Sequence, residues 1–353
     1  MSLKLIAIGA FGRMLGPSAK HLLHSDVAHY VRVHDRGTNS AFHTEYRSAW
    51  QMHGANLVAD FDALVGDGDF DGVVICAGKN AQDYQIIKDL VPLLTTASKK
   101  THKKYFILHL STVTCRFVEV MTCFCQTEKI DYVNYPLTGG SVGAAQAKML
   151  ILACGEMALY ERLKPMLECV GVSKYFGSDP TLGAATKLIG HIQVFHNLLG
   201  GSLAVLLHTK LMGSSELGSA QVEFFDFLNQ GAGGHKQWDV TLRRTIVDSD
   251  WETGFLLPHA LVDVIYTMDL MLSKNIAPIL LLPLAEVALL FCYLARKKPG
   301  KVWASQSILY ALLHEDNQEI TAFIQQYLRP DQLLQSCLQA MPDVLRESVM
   351  LDV

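Results

Sequence analysis

Charged residues are scarce in this 353-residue chain, because Asp, Glu, Lys and Arg together make up 18% of it, against about 25% in an average soluble protein. The 30 basic and 34 acidic residues leave a net charge of -4, so no basic excess indicates a nucleic-acid partner. Apolar residues make up 50% of the sequence, which excludes a disordered chain and suits about two domains. The shortage of charge favours a covered surface, most simply in a homo-oligomer.

Paired cysteines are also missing from the sequence. The eight cysteines include no Cys-x-x-Cys pair, and the closest two are Cys123 and Cys125. This spacing favours reduced thiols in a cytoplasmic protein. No His-Glu-x-x-His motif occurs, and His191 and His196 are five residues apart rather than four, so we predict no metal site. The sequence also lacks the nucleophile elbow of a serine or cysteine hydrolase.

No charged leader or cleavage site precedes the first apolar segment, so we expect no secretory signal. One stretch, residues 276–295, has about the ~20 residues that a bilayer-spanning helix needs. It contains Pro278, Pro283 and Glu286, and a charge near mid-span is costly in a membrane. We therefore predict a buried helix in a helical domain and no membrane partner.

Apolar strand-like segments alternate with helical segments in the first half of the chain. The predicted strands are residues 3–9, 31–35, 72–76, 105–110, 132–134 and 150–153, and the clearest predicted helices are residues 17–24 and 81–94. Such alternation predicts a parallel sheet that is covered on both faces. Asp179-Pro180 is typical of a helix start, and only helical patterns follow it. We predict a doubly wound α/β domain over residues 1–178 and an all-α domain over residues 179–353.

A glycine turn joins the first strand to the first helix, which is where many α/β proteins bind a dinucleotide pyrophosphate. The turn reads GAFGRMLGP over residues 9–17. If Gly12 is the central glycine of a G-x-G-x-x-G motif, Ala10 and Leu15 stand where glycines are usual. In the alternative register the three roles are shared by Gly9, Gly12 and Gly16.

An acidic residue follows the second predicted strand. Asp35 stands 35 − 12 = 23 residues after Gly12, close to the ~20-residue spacing of an acid that binds the adenosine ribose. The neighbouring Arg36 suits a 2′-phosphate equally well, so Asp35 favours NAD and Arg36 leaves NADP open. Arg13 would add a positive charge near the phosphates. The alternative is an α/β domain whose loop no longer binds a dinucleotide.

Two later segments bring polar groups together with small residues. Thr138 offers a hydroxyl, and Gly139 and Gly140 let backbone N–H groups approach an anion such as a carboxylate. Lys187 lies in an apolar, small-residue helical segment, where an ammonium is unusual unless it is paired or functional. His191 is four residues further on, so the two share a helix face and suit holding a substrate oxygen and moving a proton. The alternatives are a snorkelling lysine and a core histidine.

The order of these motifs resembles the β-hydroxyacid dehydrogenase family, which includes 3-hydroxyisobutyrate dehydrogenase, tartronate semialdehyde reductase and, more distantly, 6-phosphogluconate dehydrogenase. The resemblance covers roughly residues 3–300. The glycine turn is similar to G-L-G-x-M-G-x-P-x-A-x-x-L, residues 110–113 to the S-T segment, residues 134–140 to D-A-P-V-S-G-G, and residues 183–187 to G-x-x-x-K. Phe255 followed by Asp263 resembles the distal F-x(6)-K-D segment.

This resemblance implies a Rossmann-type domain and a helical domain with the substrate site at their interface, in a homodimer or tetramer. It implies reversible hydride transfer between NAD or NADP and the β-carbon of a short hydroxy acid. Lys187 then matches the general acid/base, and His191 stands at the position of a second catalytic residue. The implied substrate contacts are Thr138, Gly139, Gly140 and Asp263. The implied cofactor contacts are Gly9, Ala10, Phe11, Gly12, Arg13, Met14, Asp35, Arg36, Ala77, Ser111 and Thr112.

Several positions depart from the family pattern. Thr138 stands for a serine, His191 for an asparagine and Val262 for the lysine of the K-D pair. Leu15, His191 and Val262 favour an alternative, namely a catalytically weak or inactive relative that acts as a binding or regulatory module. Lys187 and Asp35 favour the enzyme.

Overall fold

The chain folds into two compact units in the computed structural model, which describes residues 2–23, 26–36, 41–52, 54–214 and 216–352. The first unit comprises residues 1–187 and 350–353, and the second comprises residues 188–349. The division therefore lies slightly beyond the predicted boundary between residues 178 and 179. The end of the chain belongs to the first unit, which the sequence did not indicate.

Every strand of the described residues lies in the first unit. Their bounds are β1 Leu3–Ile8, β2 Ala28–His34, β3 Asn56–Leu57, β4 Gly72–Ile75, β5 Phe106–His109, β6 Asp131–Asn134, β7 Leu137–Thr138, β8 Met149–Ala153 and β9 Gly171–Tyr175. Six of them form a sheet in the order β3-β2-β1-β4-β5-β6, and every neighbouring pair is parallel. This is the strand order of dinucleotide-binding folds, with its reversal between β1 and β4. The predicted doubly wound, Rossmann-type sheet is confirmed.

The last three strands form a separate sheet in the order β7-β8-β9. β8 pairs antiparallel with β7 and parallel with β9. The sequence correctly predicted a strand at residues 150–153, but its assignment to the parallel sheet was wrong. A close backbone approach explains the actual pairing, since a Cβ on Gly171 would lie only 1.9 Å from the Met149 carbonyl oxygen.

Helices cover both faces of the six-stranded sheet. Their bounds in this unit are α1 Leu15–Leu23, α2 Ala41–Met52, α3 Phe61–Val65, α4 Asn80–Thr101, α5 Cys115–Thr127, α6 Gly140–Ala145 and α7 Met157–Glu168. Side chains of β1 alternate between the two faces, as a strand requires. Leu5 and Ala7 belong to a buried cluster with α1, α2 and α7, whereas Ile6 and Ile8 belong to one with α3, α4 and α5. Burial on both faces explains the continuous apolar runs of these strands.

The second unit is helical, as predicted, apart from one isolated bridge between Leu256 and Ala304. It contains most of α8 Leu182–Leu211, and then α9 Ser219–Leu228, α10 Arg243–Asp248, α11 Leu257–Ser273, α12 Leu282–Lys297, α13 Ser307–His314, α14 Asn317–Tyr327, α15 Leu333–Ala340 and α16 Asp343–Val349. A short π-helix spans Trp238–Leu242, and 3₁₀ turns span Pro278–Leu281 and Pro330–Gln332. The core of this unit is formed where α12 packs against α11 and α15.

Two helical segments of the described chain, Leu182–Leu211 and Pro278–Lys297, are long and apolar enough to cross a membrane by length and composition. The most apolar window of the second is 61% buried inside the protein. Burial of this kind is expected of a core helix, and it supports the predicted buried segment over α12. The start of the predicted segment is not buried, because Ile276, Ile279 and Leu280 are 38%, 56% and 60% exposed. The cytoplasmic location stays a prediction.

Candidate functional site

The glycine turn after β1 is shaped by close backbone contacts. Gly9 has a positive φ of 77°, and a Cβ there would lie 2.3 Å from the Cys76 carbonyl oxygen. The Gly12 N–H donates to Gly9 O at 3.2 Å, and the Gly16 N–H donates to Gly12 O at 2.8 Å. A Cβ on Gly16 would meet the Tyr46 ring at 2.5 Å. This geometry favours the register in which Gly9, Gly12 and Gly16 share the steric roles.

Apolar residues of the same turn are part of the core. Ala10, Phe11 and Leu15 are each at most 1% exposed, so Leu15 fills space that a third glycine would leave open. The Trp50 indole N–H donates to the Ala10 carbonyl at 3.0 Å. Packing of this kind fixes the backbone of the turn while Arg13 remains exposed.

Asp35 connects the end of β2 to the glycine turn. Its Oδ2 accepts a hydrogen bond from the Phe11 N–H at 3.0 Å. The carboxylate is half-buried, and the neighbouring Arg36 is exposed. Asp35 therefore stands beside the turn, as an acid that binds a ribose must, and the Arg36 side chain is accessible next to it.

Three more predicted cofactor contacts follow β4 and β5 at the same sheet edge, because the strands are parallel. Ala77 follows β4 and is half-buried. Ser111 follows β5 and is 7% exposed, and its hydroxyl has no hydrogen-bond partner among the described residues. A buried hydroxyl without a protein partner, beside the sharp glycine turn at Gly9, fits a dinucleotide bound along this edge. Thr112 is half-buried beside Ser111.

Beneath this edge lies a buried polar network that we did not predict from the sequence. His109 Nε2 lies 3.0 Å from Asp83 Oδ2, and His109 Nδ1 lies 2.8 Å from the Tyr132 hydroxyl. Burial raises the pKa of Tyr132 well above its usual value, so its hydroxyl keeps its proton and can donate to Nδ1. The imidazole Nε2–H then donates to the carboxylate. His109 was hidden in the apolar run 105–110, although a histidine in a buried strand was itself a signal.

Two amides join neighbouring strand ends to this network. Asn134 Nδ2 donates to His109 O and Ser111 O, each at 3.1 Å. Asn80 Nδ2 donates to Thr114 Oγ1 at 3.0 Å and to the Met350 carbonyl at 2.9 Å. These bonds hold the chain around Ser111 in one conformation.

The second predicted turn lies after β7. Gly139 and Gly140 have positive φ values of 135° and 66°, which other residues adopt only with strain. A Cβ on Gly139 would lie 3.1 Å from Met149 Sδ. Thr138 is half-buried and both glycines are exposed, so backbone N–H groups and one hydroxyl are accessible at this turn.

Helix α8 is packed tightly against the first unit where it begins. A Cβ on Gly183 would lie 2.7 Å from the carbonyl oxygens of both Asn134 and Leu152. The Gly183 N–H also contacts Cys154 Sγ at 3.1 Å. Lys187 follows one turn later and is half-buried, so the position of its backbone is set by close packing rather than by a mobile loop.

His191 lies one further turn along α8 and pairs with Asp263 in the second unit. His191 Nδ1 is 3.7 Å from Asp263 Oδ2, and the two residues are only 4% and 2% exposed. The His191 ring also contacts the rings of Phe195 and Phe255, at centroid distances of 5.5 and 5.9 Å. The sequence singled out His191, Phe255 and Asp263 separately, and the structure brings them together. Val262 is buried, so its side chain belongs to the core.

Within the described ranges, no group of three or more His, Cys, Asp or Glu side chains is placed to hold a metal ion.

The chain has clear relatives. Residues 5–177 match the family described as the NAD binding domain of 6-phosphogluconate dehydrogenase. L-threonate dehydrogenase of Escherichia coli is 31% identical over 163 residues, which cover 45% of this chain and 50% of the relative. The chain thus spans about half the length of this curated relative in the match.

Solved structures show the same fold over most of the chain. A 3-hydroxyisobutyrate dehydrogenase of Mycobacterium tuberculosis superposes with a TM-score of 0.69 at 16% identity, covering 88% of this chain and 99% of the other. A 3-hydroxyisobutyrate dehydrogenase of Salmonella typhimurium gives a TM-score of 0.69 at 20% identity, with the same coverage of 88% and 99%. The matched domain supports NAD or NADP as the cofactor. Over residues 5–177 this chain is therefore similar to the NAD binding domain of 6-phosphogluconate dehydrogenase, and over 88% of its length its fold resembles that of the 3-hydroxyisobutyrate dehydrogenases.

Proposed function

We propose that this protein is an NAD(P)-dependent oxidoreductase that transfers hydride to or from the β-carbon of a short hydroxy acid. The observation that carries the proposal is the arrangement on α8, where half-buried Lys187 stands one turn before His191, which pairs with Asp263. A lysine and a histidine on one helix face suit binding and protonating a substrate oxygen. No arrangement of residues comparable to this one supports a purely regulatory module, and such a module would not need Lys187.

The roles of the individual residues follow from their chemistry. The dinucleotide, when bound, accepts or donates the hydride. Residues 9–14 and Asp35 would hold its phosphates and adenosine ribose, with Ala77, Ser111 and Thr112 further along the sheet edge. Thr138, Gly139 and Gly140 would bind the substrate carboxylate through a hydroxyl and backbone N–H groups.

Lys187 is the general acid/base in this proposal. Its ammonium donates a hydrogen bond to the carbonyl oxygen and gives up a proton as hydride arrives, and it takes the proton back in the oxidation. His191 donates a second hydrogen bond to the same oxygen, and Asp263 orients its imidazole. The relative named L-threonate dehydrogenase and the neighbours named 3-hydroxyisobutyrate dehydrogenase make L-threonate and 3-hydroxyisobutyrate the first substrates to try.

The first experiment is a fluorescence titration with NADH and NADPH, followed by assays of short hydroxy acids. We expect saturable binding, with the ratio of the two Kd values deciding between the Asp35 and Arg36 interpretations. Lys187→Ala should lower kcat by about 10²–10⁴-fold, as loss of a general acid/base does, and change the dinucleotide Kd less than threefold. Lys210→Ala, an exposed lysine on the same helix, is the matched control and should change neither quantity.

Two results would contradict the proposal. Absence of saturable binding of either dinucleotide at millimolar concentration would rule out a dehydrogenase. Full turnover by Lys187→Ala would remove the assigned role of Lys187 while leaving the cofactor site intact.

A homo-oligomer is part of the same proposal. Leu203, Leu207 and Leu211 recur every four residues along one face of α8 and are 45%, 60% and 76% exposed. Phe227 of α9 is 75% exposed. Apolar stripes of this kind usually bury themselves against another subunit. Light scattering after size-exclusion chromatography should give a multiple of the 39.0 kDa chain mass, and Leu207→Glu should lower it.

A further inference from the structure

A cleft in the helical unit lies among residues that the proposed dehydrogenase reaction does not use. Its volume is about 390 Å³, within the range of small-molecule sites. One wall is α8, a second is α9 with the π-helix, and the third is the glycine-rich loop after α9. The lining residues are His196, Asn197, Gly200, Gly201, Ala204, Phe225, Leu228, Asn229, Gly231, Ala232, Gly233, His235 and Trp238.

Small residues on α8 create the space. Gly200 and Ala204 follow His196 at intervals of four residues, so the three lie on one face of the helix. Glycine inside a helix lowers its stability by about 1 kcal/mol relative to alanine, and this helix carries two of them in succession. The space beside Gly201 is occupied by the His235 ring, because a Cβ there would lie 2.8 Å from His235 Cε1. A Cβ on Gly200 would meet nothing within 4 Å.

The aromatic wall is held rigidly. The Trp238 indole N–H donates to Asp226 Oδ1 at 2.9 Å, and Arg243 Nε donates to the same carboxylate at 2.9 Å. The Phe225 and Trp238 rings are in contact, with centroids 5.1 Å apart. Asn229 Oδ1 accepts from the His235 backbone N–H at 2.7 Å, which fixes the start of the π-helical turn. Rigid aromatic surface in a preformed cleft favours an apolar ring in the ligand.

Two imidazoles supply the polar groups. His235 Nδ1 lies 3.1 Å from the Trp238 backbone N–H, so Nδ1 is the acceptor and Nε2 carries the ring proton. His196 Nε2 is buried and has no hydrogen-bond partner among the described residues. Burial lowers the pKa of His196 and His235, so both rings are neutral at pH 7. A hydroxyl group can accept from His235 Nε2–H and can donate or accept at His196 Nε2.

The cleft has no ionic partner for a charged ligand. None of its described lining residues is Asp, Glu, Lys or Arg. The desolvation cost of a charged ligand would therefore not be offset by an opposite charge in the cleft. We propose that this cleft is a second small-molecule site, and that it takes an uncharged ligand with a hydroxyl group on an apolar ring. None of its lining residues is among those assigned to hydride transfer.

The probe for this proposal is 4-fluorophenol. Its binding to the full-length protein is measured by fluorine-19 NMR. We expect saturable binding to the wild type and at least tenfold weaker binding of 4-fluorobenzoate, which has the same ring but carries a negative charge. Gly200→Leu should weaken 4-fluorophenol binding at least tenfold by filling the cleft. Gly190→Leu makes the same change on the same helix, at a glycine that also has open space around it, and should leave the Kd within twofold.

If Gly200→Leu does not fold, the affinities of His196→Phe and Ala204→Leu for 4-fluorophenol test the proposal independently. His196→Phe keeps an aromatic ring but removes the unpartnered nitrogen, so we expect at least fivefold weaker binding of 4-fluorophenol. Equal affinities for wild type and all three variants, or for the phenol and the benzoate, would overturn the proposal. Absence of binding combined with a smaller oligomer in Gly200→Leu would assign the cleft to a second copy of the chain instead.

Discussion

The imidazole of His191 faces the carboxylate of Asp263, with 3.7 Å between Nδ1 and Oδ2, and neither residue is more than 4% exposed. Removing one member of a buried pair leaves the other charge or dipole without compensation. We expect Asp263→Ala to lower the free energy of unfolding by about 3 kcal/mol, measured by urea denaturation. Asp248→Ala, at an exposed position of the same unit, should change it by less than about 0.5 kcal/mol. Equal effects would mean that the pair has no energetic role.

His191→Asn addresses the departure of this residue from the family pattern. An asparagine amide can donate the same hydrogen bond to a substrate oxygen but cannot carry a positive charge. If the hydrogen bond is what matters, the variant should keep at least a tenth of the wild-type kcat. A folded variant with no measurable turnover would show that the imidazole contributes more than a hydrogen bond.

Gly9 is the turn position with the least freedom to change. Gly9→Ala would combine a positive φ of 77° with a Cβ 2.3 Å from the Cys76 carbonyl oxygen. We expect at least tenfold weaker NADH or NADPH binding and a lower melting temperature. Gly54→Ala is the matched control, because Gly54 also has a positive φ but has no atom within 4 Å of the added Cβ. Its cost should be only the roughly 1–2 kcal/mol of left-handed backbone strain.

The contact between Gly16 and Tyr46 allows a rescue experiment. A Cβ on Gly16 would lie 2.5 Å from the Tyr46 ring, so Gly16→Ala should cost about 1–3 kcal/mol through overpacking between α1 and α2. Adding Tyr46→Ala removes the clash, and the double variant should be more stable than the sum of the two single changes predicts. Strict additivity in this double-mutant cycle would show that Tyr46 is not the obstacle.

Acid should weaken the helical unit through its buried histidines. Burial lowers the pKa of His196 and His235 below the ordinary value of 6.5, so near and below that pH the unfolded chain binds protons that the folded chain does not. Stability is therefore fully present above about pH 6.5 and is lost as the pH falls. Urea midpoints at pH 7.5 and 5.5 should show a decrease, and His196→Phe should reduce that decrease. An unchanged pH dependence in the variant would exclude His196 as a contributor.

The six-stranded sheet could be predicted because its strands are buried on both faces and therefore appear as short apolar runs between helices. The pairing partners of those strands could not be predicted, because the apolar pattern of residues 150–153 is the same whichever sheet the strand joins. Lys187 and His191 could be singled out because each departs from its apolar surroundings, and Asp35 because of its spacing from Gly12. The hydrogen bonds of His109 escaped notice because they join residues that are 23 and 26 positions apart in the chain.

The spacing of the sterically required glycines affects which sequences a search for this glycine turn will find. Gly9, Gly12 and Gly16 follow one another at intervals of three and four residues, whereas the common fingerprint expects two and three. A sequence filter that demands the common spacing would discard this chain, although its backbone makes the same sharp bend from strand to helix. A motif search that accepts the wider spacing, together with an acid just after the second strand, would retain chains with this turn.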